Sequence, residues 1–206
     1  ERSSVRYILL ILMTVTFLQS AAQSVSPIVY GVRNDLPQTY LTQRDWGQLP
    51  TGAEWAAVTA VEPSPDGQFI YVVHRCVGNS CEGRSEPPIL KYDYEGNLLD
   101  SFGENLFIFP HGATVDKDGF LWVTDARGNN EIGHQVFKFS PAGELMMTLG
   151  KRGEGGTGHN LLHEPNDVVI DPKTGDIFVA ESHRNGLNNQ IVHYLADGTF
   201  IKAWGS

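Results

Sequence analysis

The chain has 206 residues, with 15 Lys and Arg against 24 Asp and Glu and a formal net charge of −9. That balance argues against nucleic-acid binding, which needs basic patches to hold phosphates. The 22 Gly and 11 Pro residues, with few long stretches of helical period, favour short strands joined by turns.

At the start, Arg2 and Arg6 precede an apolar run over residues 7–18, followed by Gln19-Ser20-Ala21-Ala22. A basic region, a short apolar core and small residues before a cut describe a secretory signal peptide, with cleavage expected after Ala22. A buried helix and an uncleaved anchor are the rival readings. Twelve apolar residues fall short of the roughly 20 that a hydrocarbon core of about 30 Å requires. No later stretch is apolar enough to span a membrane. The expected location is therefore secreted or periplasmic. Removing residues 1–22 takes away Glu1, Arg2 and Arg6, which leaves −10 over residues 23–206. Acidity with several Asp-Gly turns also suits calcium.

Residues 23–56 read as an irregular lead-in containing Pro27, Pro37 and Pro50. From residue 57 a unit recurs three times. Its first half is strand, Asp/Gly turn, strand: AVTAVEPSPDGQFIYVVH (57–74), GATVDKDGFLWVTDA (112–126) and DVVIDPKTGDIFVAE (167–181). Its second half repeats the pattern in ILKYDYEGNLLDSFG (89–103), VFKFSPAGELMMTLG (136–150) and IVHYLADGTFIKAWG (191–205). Four short strands at a period of about 40–50 residues mark a β-propeller blade. A β-sandwich would not explain three copies with matching turns. Propellers usually close with about four to eight blades. The expectation is thus three blades, in units 57–103, 112–150 and 167–205, from the N-terminal part of a larger propeller.

Cys76 and Cys81 both lie in HRCVGNSCEG. In an oxidising compartment a bridge closing this loop is expected; a metal pair or two free thiols are the alternatives. Pro110-His111-Gly112 directly precedes a first strand, where a blade borders the central channel. An imidazole there suits a metal ligand, although a lone histidine more often serves structure. A propeller can collect one ligand per blade, so a local motif is not required. At the end of the second strand stand Arg75, Asp125 and Glu181 in the three units. Arg75 suits a bidentate grip on a carboxylate. The two acids read as turn caps and interblade hydrogen-bond acceptors. The glycine-rich run 150–158 lacks the Gly-Lys-Ser/Thr ending of a phosphate loop. His159 and His163, four apart, lie among Gly and Pro, which indicates a loop rather than a metal-binding helix.

These residues carry a resemblance. The repeats resemble NHL-type six-bladed propellers. The run GENLFIFPHGATVDKDGFLWVTDA…HQVFKFSP…LG (103–150), continued by EPNDVVIDPKTGDIFVAES, is similar to the peptidyl-α-hydroxyglycine α-amidating lyases. The resemblance implies an all-β NHL propeller with zinc on three channel histidines and a calcium nearby. It implies that His111 is a zinc ligand, that the Ala113 carbonyl binds calcium with Val61 as a second carbonyl, and that Arg75 is the catalytic-site arginine. The implied substrate is a peptide, or another small hydroxy-acid-like molecule, split as a C-terminal α-hydroxyglycine into amide and glyoxylate. Where the family has a catalytic tyrosine after Asp-Gly, this chain reads Glu181-Ser182-His183. His183 is the expected general base, its pKa lying nearer neutrality; the equal alternative is that this departure marks loss of the activity. The other two zinc histidines are expected in later blades, so this segment alone is expected to be inactive. The alternative is a non-catalytic NHL propeller that binds protein, peptide or glycan. A sugar-lactonase-like metal site is a third reading, hinted at by Asn166.

Overall fold

The computed structural model describes Pro37 and residues 39–50, 53–182 and 188–205. The proposed signal peptide and His183 lie outside the described residues. Pro37 and residues 39–42 fall in a separate unit and carry no strand.

Alternating apolar residues and Asp/Gly turns build twelve strands in three antiparallel sheets. The first sheet holds β1 (Val58–Pro63), β2 (Ile70–His74), β3 (Ile89–Tyr92) and β4 (Leu98–Phe102). The second holds β5 (Pro110–Val115), β6 (Leu121–Gly128), β7 (Gly133–Phe139) and β8 (Leu145–Leu149). The third holds β9 (Pro165–Ile170), β10 (Ile177–Glu181), β11 (Gln190–Tyr194) and β12 (Phe200–Trp204). Each sheet is a meander whose strands pair in chain order. β5 lies against both β1 and β9, so the first strands stand side by side, as they do around a propeller axis. The all-β propeller expected from the repeat is the architecture found. Among the described residues no helix is long and apolar enough to cross a membrane.

Side chains alternate across a strand, so each sheet has two faces to cover. Tyr71, Val73, Ile89 and Phe102 of the first sheet pack with Leu121, Val123, Phe137 and Phe139 of the second. The other face of the second sheet offers Trp122, Val136 and Leu149 to Val168, Ile177, Val179 and Tyr194 of the third. Burying each such large side chain contributes about 1.5–3 kcal/mol. On the outer face of the first sheet, Trp46 and Leu49 of the lead-in cover Val72, Leu90 and Tyr92. The lead-in is tied down there by Trp46 Nε1 donating to the Tyr94 carbonyl at 2.9 Å and Tyr92 OH donating to the Gln48 carbonyl at 3.1 Å.

One polar side chain organises the first turn of every sheet. Asp116 accepts the amides of Asp118 and Phe120, each at 3.0 Å, and the Trp122 indole at 3.0 Å. Ser64 accepts Gln68 and Phe69 amides, and Asp171 accepts Lys173 and Thr174 amides, at the same place. These short acceptors replace the missing ladder partners at the bend, which sets the register of each hairpin.

Candidate functional site

The inner strands border an open pocket of about 440 Å³ lined by Thr59, Ala60, Glu62, His111, Gly112, Ala113, Asn166 and Asp167. Three segments distant in sequence thus share one wall. Gly112 makes this possible. A Cβ there would lie 2.5 Å from the Asn166 carbonyl oxygen and 2.8 Å from the Asp167 Cα, so only glycine lets β5 approach β9.

His111 is oriented by its neighbour. Its Nδ1 stands 2.8 Å from the Asn166 carbonyl oxygen. A carbonyl can only accept, so Nδ1 carries the proton and the neutral ring has its lone pair on Nε2. Burial lowers the His111 pKa, as do the charges of Arg75 and Arg127, against the opposing effects of the Asn166 bond and Asp167. The ring is therefore neutral near pH 7, the state a metal ligand needs. Glu62, in the same wall, has its pKa raised by burial and by the charge of Asp167. Ala113 lines the cavity. Val61 lies between the lining residues Ala60 and Glu62 and is more than half exposed.

The backbone that presents His111 is held from beneath. Fully buried Asp125 accepts the amides of Ile108 at 2.9 Å and Phe109 at 2.5 Å. Burial nevertheless pushes its pKa up to about 7, against these backbone bonds and one from Arg127. Glu181 does the same in the third sheet, accepting the His163 amide at 2.6 Å together with Asn188 and Gln190 side chains. The two acids therefore anchor the segment that feeds their own sheet's first strand.

In the first sheet the matching place belongs to Arg75, and its charge is opposite. Arg75 Nε donates to the Pro110 carbonyl at 3.1 Å, and its terminal nitrogen donates to Asn79 Oδ1. Its guanidinium stacks on the Phe109 ring, 3.4 Å from the centroid. The structure thus brings Arg75 and His111 to adjacent residues of one segment. Cys76 and Cys81 form a disulfide with Cα atoms 5.0 Å apart. The loop it closes supports the same segment, since the Cys81 amide and Ser80 hydroxyl both donate to the Ile108 carbonyl, at 2.8 and 3.2 Å.

Arg127 was not singled out by sequence. Its guanidinium also stacks on Phe109, 3.5 Å from the centroid. The available signal was the Asp125-Ala126-Arg127-Gly128 run beyond the second strand, but its packing against Phe109, eighteen positions earlier, has no local signature. His159 and His163 lie in loops and stack on separate partners, Phe200 of β12 and His134 of β7. Asn166 donates its side-chain amide to the Ser182 carbonyl.

Among the described residues, no group of three His, Cys, Asp or Glu side chains is placed to hold a metal. His111 has the tautomer and setting of one ligand, and carbonyls border the cavity beside it. The channel face thus suits one imidazole ligand, while a complete ligand set is not formed by these residues.

Comparison with known proteins places this geometry in a family context. The NHL repeat family matches residues 107–139, the segment carrying Phe109, His111, Asp125 and Arg127. The chain is 37% identical over 146 residues to peptidyl-glycine alpha-amidating monooxygenase A of Xenopus laevis, covering 70% of this chain and 14% of that protein. It is 30% identical over 188 residues to peptidyl-alpha-hydroxyglycine alpha-amidating lyase 1 of Drosophila melanogaster, covering 82% of this chain and 32% of that one. The chain therefore spans a third or less of the length of these relatives. A catalytically inactive virginiamycin B lyase from Staphylococcus aureus, solved with quinupristin, superposes with a TM-score of 0.50 at 16% identity, over 76% of this chain and 43% of that chain. At that identity the likeness is one of fold. The chain thus folds as β-propeller blades, carries an NHL repeat match at residues 107–139, and is similar in sequence to the peptidyl-α-hydroxyglycine α-amidating lyases.

Proposed function

We propose that this protein is an exported amidating lyase, which splits a peptide ending in α-hydroxyglycine into a peptide amide and glyoxylate. The observation that carries the reading is His111, fixed as a lone-pair donor by the Asn166 carbonyl in the inner-strand cavity, one residue beyond the Pro110 carbonyl that Arg75 grips. The similarity to relatives named for this activity supports it.

The reaction needs no oxidant. The hydroxyl loses its proton, its oxygen forms the aldehyde C=O, and the C–N bond breaks with its electron pair going to nitrogen. Nitrogen then takes up a proton as the amide forms. Arg75 is suited to hold the substrate carboxylate, because a part-buried guanidinium makes strong charge-assisted bonds. His183, which stands in sequence where the family has its tyrosine, is the proposed base for the hydroxyl proton. His111 would be one ligand of a zinc ion, and zinc when bound supplies Lewis-acid polarisation of the substrate oxygens. The Ala113 carbonyl, with that of Val61, is the proposed protein contribution to a calcium site.

The test is glyoxylate release from an α-hydroxyglycine peptide by the protein expressed from its complete gene, beside His111→Ala. Release that the substitution abolishes supports the lyase. A folded protein that releases none overturns it and leaves a binding propeller.

A further inference from the structure

His111 owes its tautomer to the Asn166 carbonyl, so whatever places that carbonyl acts on His111. The ladder between β9 and β10 does not fix it directly. The pairing steps from Asp167 with Ala180 to Pro165 with Glu181 and passes over Asn166, the extra residue of a bulge. The Asn166 side chain donates to the Ser182 carbonyl, which holds the amide group rather than the main chain. A further constraint comes from the residues just before β9.

Glu164 is buried and has a φ of +52°, in the left-handed region that residues other than glycine adopt at a cost. Such a kink persists only where its surroundings impose it. Two bonds do so here. Glu181 accepts the His163 amide at 2.6 Å, and His134 Nδ1 accepts the Glu164 amide at 3.2 Å. Pro165 follows directly, and its locked φ passes the direction of Glu164 on to Asn166.

The bond from Glu164 selects one state of the His134 ring. A backbone N–H only donates, so Nδ1 must offer a lone pair; a protonated imidazole carries N–H on both nitrogens and cannot accept. The ring has little room to turn away. His163 stacks on it with centroids 5.2 Å apart, and a Cβ at Gly155 would lie 2.8 Å from its Cδ2 and Nε2. The nearby charges have their own partners. Lys151 pairs with Glu154 at 2.6 Å, Arg152 donates to the Glu131 carbonyl, Arg127 lies over Phe109, and Glu181 takes the His163 amide.

We propose that His134 is a positioning residue for His111: as a neutral ring accepting the Glu164 amide, it holds Asn166 where its carbonyl fixes the His111 tautomer. The inference deepens the proposed lyase and rests on that reading only for what His111 does in the reaction. It makes the state of the channel histidine answer to a second histidine outside the pocket lining.

The experiment is nitrogen NMR of the histidine-labelled full-length protein across pH, in wild type, His134→Asn and His134→Gly. Imidazole nitrogen shifts report which nitrogen carries the proton, and the signals lost in His111→Ala assign His111. Position 134 has a φ of +57°, which asparagine and glycine both accept. Asparagine keeps an acceptor oxygen in the place of Nδ1 but cannot be protonated, while glycine removes the acceptor. Wild type should show His111 protonated on Nδ1, with an inflection in its signal at the pH where His134 itself titrates. His134→Asn should keep the tautomer and lose that inflection, although His163 still titrates beside it. His134→Gly should give a mixture of His111 tautomers. Glyoxylate release by that variant should fall about tenfold, the equivalent of one lost hydrogen bond.

A His111 tautomer unmoved in folded His134→Gly would overturn the assignment. So would an inflection that persists in His134→Asn, or one missing from wild type while His134 titrates; these two outcomes decide the matter if the glycine variant does not fold. Turnover of an α-hydroxyglycine peptide judges the lyase reading separately. Turnover with a His111 tautomer indifferent to His134 sinks the link and keeps the lyase. A tautomer that follows His134, with no turnover, keeps the link and sinks the lyase.

Discussion

Asp125 is the buried support of the His111 segment, and its replacement by Asn tests that role through pH. The folded pKa is raised from 3.8 to about 7, chiefly by burial. Between those values the folded chain keeps a proton that the unfolded chain has lost. Stability contributed by this group is therefore full below about pH 4 and is lost as pH rises toward 7. The difference between the two pKa values corresponds to about 4 kcal/mol across the window. Glu62 and Glu181, raised by burial, act in the same sense, while His111, with a lowered pKa, acts oppositely. Subtracting Asp125→Asn from wild type removes these shared contributions. Equilibrium urea unfolding at steps between about pH 4 and pH 8 should show the wild-type advantage shrinking with pH. A difference that is flat would refute the argument. One that grows with pH would show that the amides of Ile108 and Phe109 stabilise the carboxylate more than burial opposes it. Asp125→Ala, which orphans those two buried N–H groups, should cost about 2–6 kcal/mol near pH 4, and that cost should shrink toward pH 7 as it does for Asn.

Gly112→Ala should destabilise by about 1–3 kcal/mol, measured by thermal or urea unfolding, because the added Cβ meets backbone of β9 rather than a movable side chain. Replacing Cys76 and Cys81 by Ser should cost only about 2 kcal/mol, since the loop is short. The same change should lower lyase turnover by more than a matched destabilisation elsewhere, because the loop supports Ile108 and Asn79, and Asn79 holds Arg75.

The fold was legible because a propeller repeats its signals. Apolar alternation and turn acceptors at Ser64, Asp116 and Asp171 recur in phase, and each is local in sequence. Pro110-His111-Gly112 was legible as an odd residue in a repeated slot. Its tautomer was not, because it is set by the backbone of Asn166, fifty-five positions away. The acids Asp125 and Glu181 were read as caps or interblade acceptors, and they anchor the lead-in of their own sheet. Arg127 has no local signature because the ring it stacks on, Phe109, lies eighteen positions earlier in the chain. His183 lies outside the described residues, so the position matching the family tyrosine has sequence alone to speak for it.

Zinc content and glyoxylate release, measured together on the protein expressed from its complete gene beside His111→Ala, test the central claim most directly. The account predicts stoichiometric zinc and glyoxylate from an α-hydroxyglycine peptide in wild type, with both lost in a folded His111→Ala protein. Zinc and turnover that survive the loss of His111, or a folded wild type that has neither, would contradict it.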